Sequence, residues 1–193
     1  AGDQLVEQVG PPRNKFTNSL SHVVTDLGKN GIFLALIAVV VLFSILTNGI
    51  LLRRRVDDWR AAGLTHLNVS VDALERERFA EITGHDRLDD LLEGIEHALG
   101  LEFQSVKLNA VLLRGLNDDQ MPRWFDYLRQ RRVSVRFIEL MQTGDNRAYF
   151  ERHHVRADSL EQSLQQAGWR LVPPAHDSGP AREYTHADYA GRV

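Results

Sequence analysis

The sequence predicts an α/β fold built on parallel strands and preceded by an apolar helix. Beyond residue 53, short strand-like runs alternate with segments of helical periodicity, an order typical of parallel βαβ units. Before that point, residues 30–52 are uncharged and long enough for a bilayer core, which needs about 20 apolar residues as helix. We therefore expect a polar segment at 1–29, a candidate transmembrane helix at 30–52 and a β/α part at 53–193.

Composition limits what the chain can do. Its 193 residues are 43% hydrophobic and 25% charged, which is ordinary for a globular protein. The pI of about 6.3 gives no general attraction to nucleic acid, so no nucleic-acid partner is predicted. Because the sequence has no cysteine, it excludes disulfides, zinc sites built on thiolates, and iron–sulfur clusters held by cysteines of these residues.

The apolar run allows two interpretations. Arg53, Arg54 and Arg55 follow it and favour a cytosolic position for that end, which would make the chain a membrane-anchored protein with a cytosolic C-terminal part. Residues 27–49 also resemble the first span of sugar ABC-transporter permeases. The alternative is a buried strand followed by a helix in a protein that does not cross a membrane.

The helices of the β/α part are predicted from apolar spacing and from the residues that end them. The first contains Val56 and Trp59 and ends at Gly63, which can adopt the left-handed conformation. The second covers residues 88–99 and is closed by Gly100.

Two further helices are predicted from capping residues. Asp118 or Asp119 is expected to cap a helix with Pro122 in its first turn, and Asp158 to cap a last helix that ends at Gly168. From residue 173 onward the sequence indicates loop.

Three strands are predicted between these helices, at residues 67–71, 105–113 and 133–141. Three parallel strands amount to half a barrel or a small open sheet. Such a sheet would leave an exposed strand edge on each side.

A series of short motifs follows one order and spacing along this part of the chain. They are Thr47-Asn48-Gly49, Ala62-Gly63-Leu64, Asn68-Val69-Ser70-Val71-Asp72, Ile82-Thr83-Gly84, Val106-Lys107-Leu108-Asn109, Arg136-Phe137-Ile138-Glu139-Leu140-Met141, Thr143-Gly144 and His186-Ala187-Asp188-Tyr189-Ala190-Gly191. Together, over residues 47–193, they resemble the central part of the GTP 3′,8-cyclases of molybdenum-cofactor biosynthesis (the MoaA family), which are radical S-adenosylmethionine (SAM) enzymes.

The resemblance implies a partial radical-SAM (β/α) barrel. Members of this family convert GTP to a cyclic pyranopterin precursor with a SAM-derived radical, use 4Fe–4S clusters, are cytoplasmic and are commonly dimeric. By position, Ser70 and Met141 resemble the residues that bind SAM, and Lys107 and Arg136 resemble the residues that bind GTP.

Each of these residues also has a simpler interpretation. Ser70 would only end a strand, Met141 would fill a core, and Lys107 would reach water along the sheet face. Arg136 would pair with Glu139 or with a helix carboxylate. In favour of binding, a lysine within an apolar strand needs a partner, and the arginine fork suits phosphate oxygens.

The remaining polar clusters have no assigned function. The histidines show no zinc spacing and are expected to be solvated, and the acidic residues are expected to form the exposed face of a helix. These are His153, His154, His176 and His186, and Asp86, Asp89, Asp90 and Glu93.

The sequence departs from the family where the radical chemistry begins. It lacks the three-cysteine motif, the Gly-Gly-Glu-Pro segment and the C-terminal cluster cysteines, and Leu46 stands where the family usually has a threonine that contacts GTP. We therefore assign no catalytic residue and no metal ligand, and we expect the chain to be inactive alone. The alternatives are a membrane-anchored interaction protein and a chimera without function, joined to a permease-like span near residues 44–47.

Overall fold

A parallel four-stranded sheet organises the computed structural model, which describes residues 44–47, 51–174 and 181–193. The strands lie in the order β1-β2-β3-β4, and every neighbouring pair is parallel. They are β1 (Ser44–Thr47), β2 (His66–Ser70), β3 (Ser105–Leu112) and β4 (Ser134–Glu139). The predicted α/β class with parallel strands is confirmed.

Six helices connect and follow these strands in the described part of the chain. They are α1 (Leu52–Ala61), α2 (Arg76–Thr83), α3 (Leu88–Gly100), α4 (Met121–Leu128), α5 (Arg147–His153) and α6 (Ala157–Gln166). A short antiparallel pair, β5 (Arg170–Leu171) and β6 (Tyr184–Thr185), follows them.

The core lies between one face of the sheet and the helices. Alternate residues of β2 and β3 are buried, as the two-residue period of a strand requires when one face is covered. They join fully buried helix residues such as Leu52, Ile95 and Trp124. At Gly94 an added Cβ would lie 3.0 Å from the Leu52 side chain, so the glycine permits the close approach of α1 and α3.

The expected helix at 30–52 is wrong at residues 44–47, which form β1 and pair with β2 from Ser44–His66 to Thr47–Val69. Their backbone is extended in the sheet ladder, so a helix cannot continue through them. Residues 1–43 and 48–50 lie outside the described residues, and with them the polar segment and most of the apolar run. Among the helices that the structure describes, none is long and apolar enough to cross a membrane.

The expected exposed sheet edges are also wrong in part. β1 covers the edge of β2, and residues 191–193 dock on the beginning of β4. There the Val135 amide donates to the Arg192 carbonyl (2.8 Å), and the Arg192 amide donates to the Val133 carbonyl (2.9 Å). The tail that was expected to be loop therefore extends the sheet at its other side.

The helix ends agree with the sequence more often than the helix starts. Gly63 and Gly168 have φ values of 92° and 86° and follow α1 and α6 as expected. After α3 it is Glu102, rather than Gly100, that has a positive φ of 56°.

The starts of α4 and α6 differ from the predicted caps. α4 begins at Met121 without a side-chain cap, and Asp118 instead accepts a hydrogen bond from the Gly115 amide (2.8 Å). α6 begins at Ala157, whose amide donates to Glu139 Oε1 (2.6 Å). A carboxylate from a strand thus replaces the local cap that the sequence suggested.

Candidate functional site

Polar side chains occupy the face of the sheet opposite the helices, which we call the interior face. Strand register aligns them in two rows, because Cα partners in a parallel ladder present their side chains to the same side. The first row is Asn68, Lys107 and Ser134, and the second is Ser70, Asn109 and Arg136. These residues are half-buried or exposed, whereas their neighbours along each strand are mostly buried. In a β/α barrel this face turns toward the barrel axis.

Lys107 is a half-buried cation in the first row. Burial lowers the pKa of its ammonium group, the positive charge of Arg136 lowers it further, and the negative charge of Glu183 opposes both. Among the described residues Lys107 forms no ion pair. An ammonium group in these surroundings would gain from an incoming anion.

Arg136 is exposed on the neighbouring strand, one row further toward the carboxyl end. The suggested pair with Glu139 is wrong, because the two residues are three positions apart on β4 and their side chains therefore point to opposite faces. Glu139 instead bonds the Ala157 amide and lies 3.2 Å from His154 Nε2. In the described ranges Arg136 has no carboxylate partner.

The two predicted SAM residues are placed differently. Ser70 ends β2 and lines a cavity of about 40 Å³, which is large enough for water but far too small for SAM. Met141 follows β4 in a loop and is 75% exposed, so the core-filling interpretation is wrong. Its carbonyl accepts a hydrogen bond from Asn146 Nδ2 (3.0 Å). The structure therefore brings Ser70, Lys107 and Arg136 onto one face, and Met141 stands apart from them.

A buried amide that sequence reasoning missed connects the loops beyond β2 and β3. Asn117 Oδ1 accepts from the Leu113 amide (2.7 Å), and Nδ2 donates to the carbonyls of Asp72 (2.6 Å) and Val111 (2.8 Å). Gln120 Oε1 adds a bond from the Leu74 amide (2.9 Å). The sequence shows this stretch only as a polar run before a helix, because Asp72 and Leu74, to which Asn117 and Gln120 bond, lie 45 and 46 residues earlier in the chain.

Asp72 belongs to the same connection. Its carboxylate accepts a hydrogen bond from the Val111 amide (2.9 Å), and burial raises its pKa against the lowering effect of that bond. The carboxyl ends of β2 and β3 are thus held together by side chains, at the rim where β/α barrels bind ligands.

The histidines are not simply solvated. His153 Nδ1 lies 2.9 Å from the Arg114 carbonyl, and His154 contacts Glu139. His186 is 18% exposed, packs on Trp169 and accepts a hydrogen bond from the Asp188 amide (3.1 Å). His176 lies outside the described residues.

The acidic residues of the α2–α3 region are exposed as expected and are ion-paired. The pairs are Asp86 and Asp89 with Arg76, Asp90 with Arg87, and Glu93 with Arg53. Within the described ranges, no group of three His, Asp or Glu residues forms a candidate metal site.

Comparisons with family models, curated proteins and solved structures show what this chain is similar to. The family model for the radical SAM superfamily matches residues 20–128. This match runs across residues 44–47, where the sequence suggested a join, and the same residues pair with β2. Both observations therefore group residues 44–47 with the residues that follow them, and neither indicates a join at this point.

Curated relatives are GTP 3′,8-cyclases. Those of Stenotrophomonas maltophilia strains R551-3 and K279a are each 59% identical over 150 residues, 78% of this chain and 46% of theirs. That of Vibrio cholerae serotype O1 is 43% identical over 147 residues, 76% of this chain and 44% of its own. The chain thus spans about half the length of the curated relatives it matches.

Among solved structures, TYW1 with a lysine–pyruvate adduct bound is similar over 70% of this chain and 44% of its own. The identity is 19% and the TM-score 0.45.

Proposed function

Since the chain belongs to the radical SAM superfamily and is a homologue of the GTP 3′,8-cyclases, we propose that it is the central, nucleotide-binding part of such a cyclase. The observation that carries this proposal is the interior face, where Lys107 and Arg136 lie on neighbouring strands and, among the described residues, neither forms an ion pair. Two cations in adjacent rows suit a polyphosphate, whose oxygens can bond both.

GTP would bind with its phosphates at these two cations. The ammonium group of Lys107 supplies a compact charge within the sheet, and the guanidinium group of Arg136 supplies a planar fork nearer the rim. Asn109 lies between Ser70 and Arg136 in the second row and offers an amide to the same ligand.

SAM would bind at the rim beside GTP. Ser70 offers a hydroxyl at the end of β2, and Met141 follows β4 in an exposed loop, where its carbonyl, which already accepts from Asn146, keeps a second lone pair. The loops that frame this rim are fixed by Asn117 and Gln120, so the rim is ordered before ligands arrive.

The 4Fe–4S clusters of the family do not fit the residues present. Cysteine thiolates hold such clusters, and this sequence has none. We therefore assign these residues to binding and orienting GTP and SAM, in a cytoplasmic setting and with cluster-bearing parts supplied from elsewhere. No step of the radical reaction is assigned to them.

Calorimetric titration of GTP into the full chain tests the binding role. Lys107→Gln and Arg136→Gln should each weaken binding about tenfold or more, because each removes a charge-assisted hydrogen bond. Arg132→Gln, an exposed arginine just before β4, is the control and should change the affinity little. Equal losses in all three variants, or no effect at Lys107, would contradict the assignment.

An activity assay tests the proposal that this chain binds the ligands but does not carry out the radical reaction alone. The purified chain, supplied with GTP, SAM and a strong reductant, should form no cyclised product, because no thiolate is present to hold the cluster that reduces SAM. Product formation by this chain alone would overturn the proposal.

A further inference from the structure

The docked C-terminal strip brings a third cation to the interior face. Arg192 pairs with Ser134 in a parallel bridge, and Ser134 is the register partner of Lys107. Arg192 therefore extends the first row by one strand, roughly 10 Å from Lys107 between Cα atoms at the usual strand spacing. The neighbouring Gly191 faces the helices, where an added Cβ would meet Leu128. Strand alternation then turns Arg192 to the interior face.

Glu183 reaches the same face through β6. The next residue, Tyr184, is buried and donates a hydrogen bond to Glu161 of α6, so it points toward the helices. Alternation places Glu183 on the opposite side. Its Oε1 lies 2.5 Å from Arg192 Nη1, and its negative charge favours the charged form of Lys107, which raises the pKa of that group.

This ion pair is not needed to hold the tail in place. The tail is fixed by backbone bonds, including Tyr184 N to Val193 O (2.6 Å) and Val193 N to Tyr184 O (3.1 Å). Both side chains of the pair are about half exposed, at 57% and 47%, and exposed ion pairs contribute little to stability. The position of this carboxylate among three cations is better explained by the binding of an anion at these cations than by a contribution to stability.

We propose that Arg192 is a third phosphate-binding residue of the interior face, and that Glu183 holds its guanidinium group until phosphate takes the place of the carboxylate. This inference rests on the proposed nucleotide-binding function. It adds one phosphate-binding residue, Arg192, and one carboxylate, Glu183, that competes with phosphate for it. Phosphate oxygens would replace Glu183 as the acceptors of the Arg192 N–H groups.

Titration of inorganic tripolyphosphate and of GTP into the full chain tests the inference. Arg192→Gln should weaken both affinities about fivefold, in keeping with an exposed charge contact. Glu183→Gln should tighten both about threefold, because the competing carboxylate is gone. The control is Arg182→Gln, which removes an equal charge one residue before Glu183, where Arg182 pairs with Glu161 on α6.

The outcomes separate this inference from the function beneath it. If Lys107→Gln weakens binding but Arg192→Gln and Glu183→Gln do not alter it, the inference fails and the nucleotide site stands. If Arg182→Gln weakens binding as much as Arg192→Gln, only general charge matters and the inference fails. If the unaltered chain binds neither tripolyphosphate nor GTP, both fail.

Discussion

Asn117 connects two loops at the rim of the sheet with three hydrogen bonds from a side chain that is only 2% exposed. Asn117→Ala leaves buried backbone groups without partners, so we expect a loss of about 2–4 kcal/mol in the free energy of unfolding. Urea denaturation measures this loss. Asp118→Ala, next in the chain but exposed, removes only the bond to Gly115 and should cost much less. Similar losses in both variants would show that the buried amide has no special part.

At the scale of single residues, the sequence predicted some residues of the proposed site and not others. Lys107 and Arg136 were predicted because both lie in motifs that resemble the family, and Lys107 also interrupts an apolar strand. Glu183 and Arg192 were not, because their position depends on a tail that docks on a distant strand, where Arg192 pairs with Ser134. Such pairing leaves no local periodicity in the sequence.

The element that most depends on a distant group is α6. Glu139 on β4 accepts from the Ala157 amide, and this bond, followed by that of His154, lowers the Glu139 pKa from its ordinary 4.5. The stabilisation is therefore present above pH 4.5 and is lost as the pH falls through the lowered pKa of the folded state.

Glu139→Ala should lower the free energy of unfolding by about 1 kcal/mol at neutral pH, the usual cost of losing a helix cap. The same variant should lose less stability than the unaltered chain on acidification below pH 4.5. Thermal melts followed by circular dichroism across this pH range measure both effects. Glu151→Ala, which removes an exposed pair with Arg147, is the control, and an acid profile unchanged at Glu139 would contradict the capping role.

The docked tail depends on a glycine. An added Cβ at Gly191 would meet Leu128 and lie 2.8 Å from the Arg131 carbonyl. Gly191→Ala should therefore cost roughly 1–3 kcal/mol and increase hydrogen exchange at the Val135 amide, which bonds Arg192. Gly144→Ala, with open space around it, is the matched control. Unchanged exchange at Val135 would show that the tail tolerates the extra carbon.

At this scale the sequence predicted three strands and four helices near their observed positions, because each carries an apolar period or residues typical of a helix end. It left open whether residues 44–47 form helix or strand, because they lie inside an apolar run that fits either, and the structure shows them as β1. It missed α2 and α5 because neither has a strong apolar stripe: α2 buries only Phe79 and α5 has no buried residue.

At the scale of the whole molecule, the two faces of the sheet carry different residues. Its apolar face packs against helices and supplies the stability of the fold. Its interior face carries polar residues in register, from Ser70 and Lys107 to Arg136. Under the proposed function, these residues bind GTP and SAM, and no cysteine of this sequence can hold a cluster beside them.

The central claim is that the interior face binds GTP. Amide proton–nitrogen correlation spectra recorded during a GTP titration test it most directly, because they report each residue separately. We predict that the largest shifts come from Lys107, Asn109 and Arg136, with little change in α1 and α3. Shifts confined to the helices, or none at saturating nucleotide, would contradict the claim.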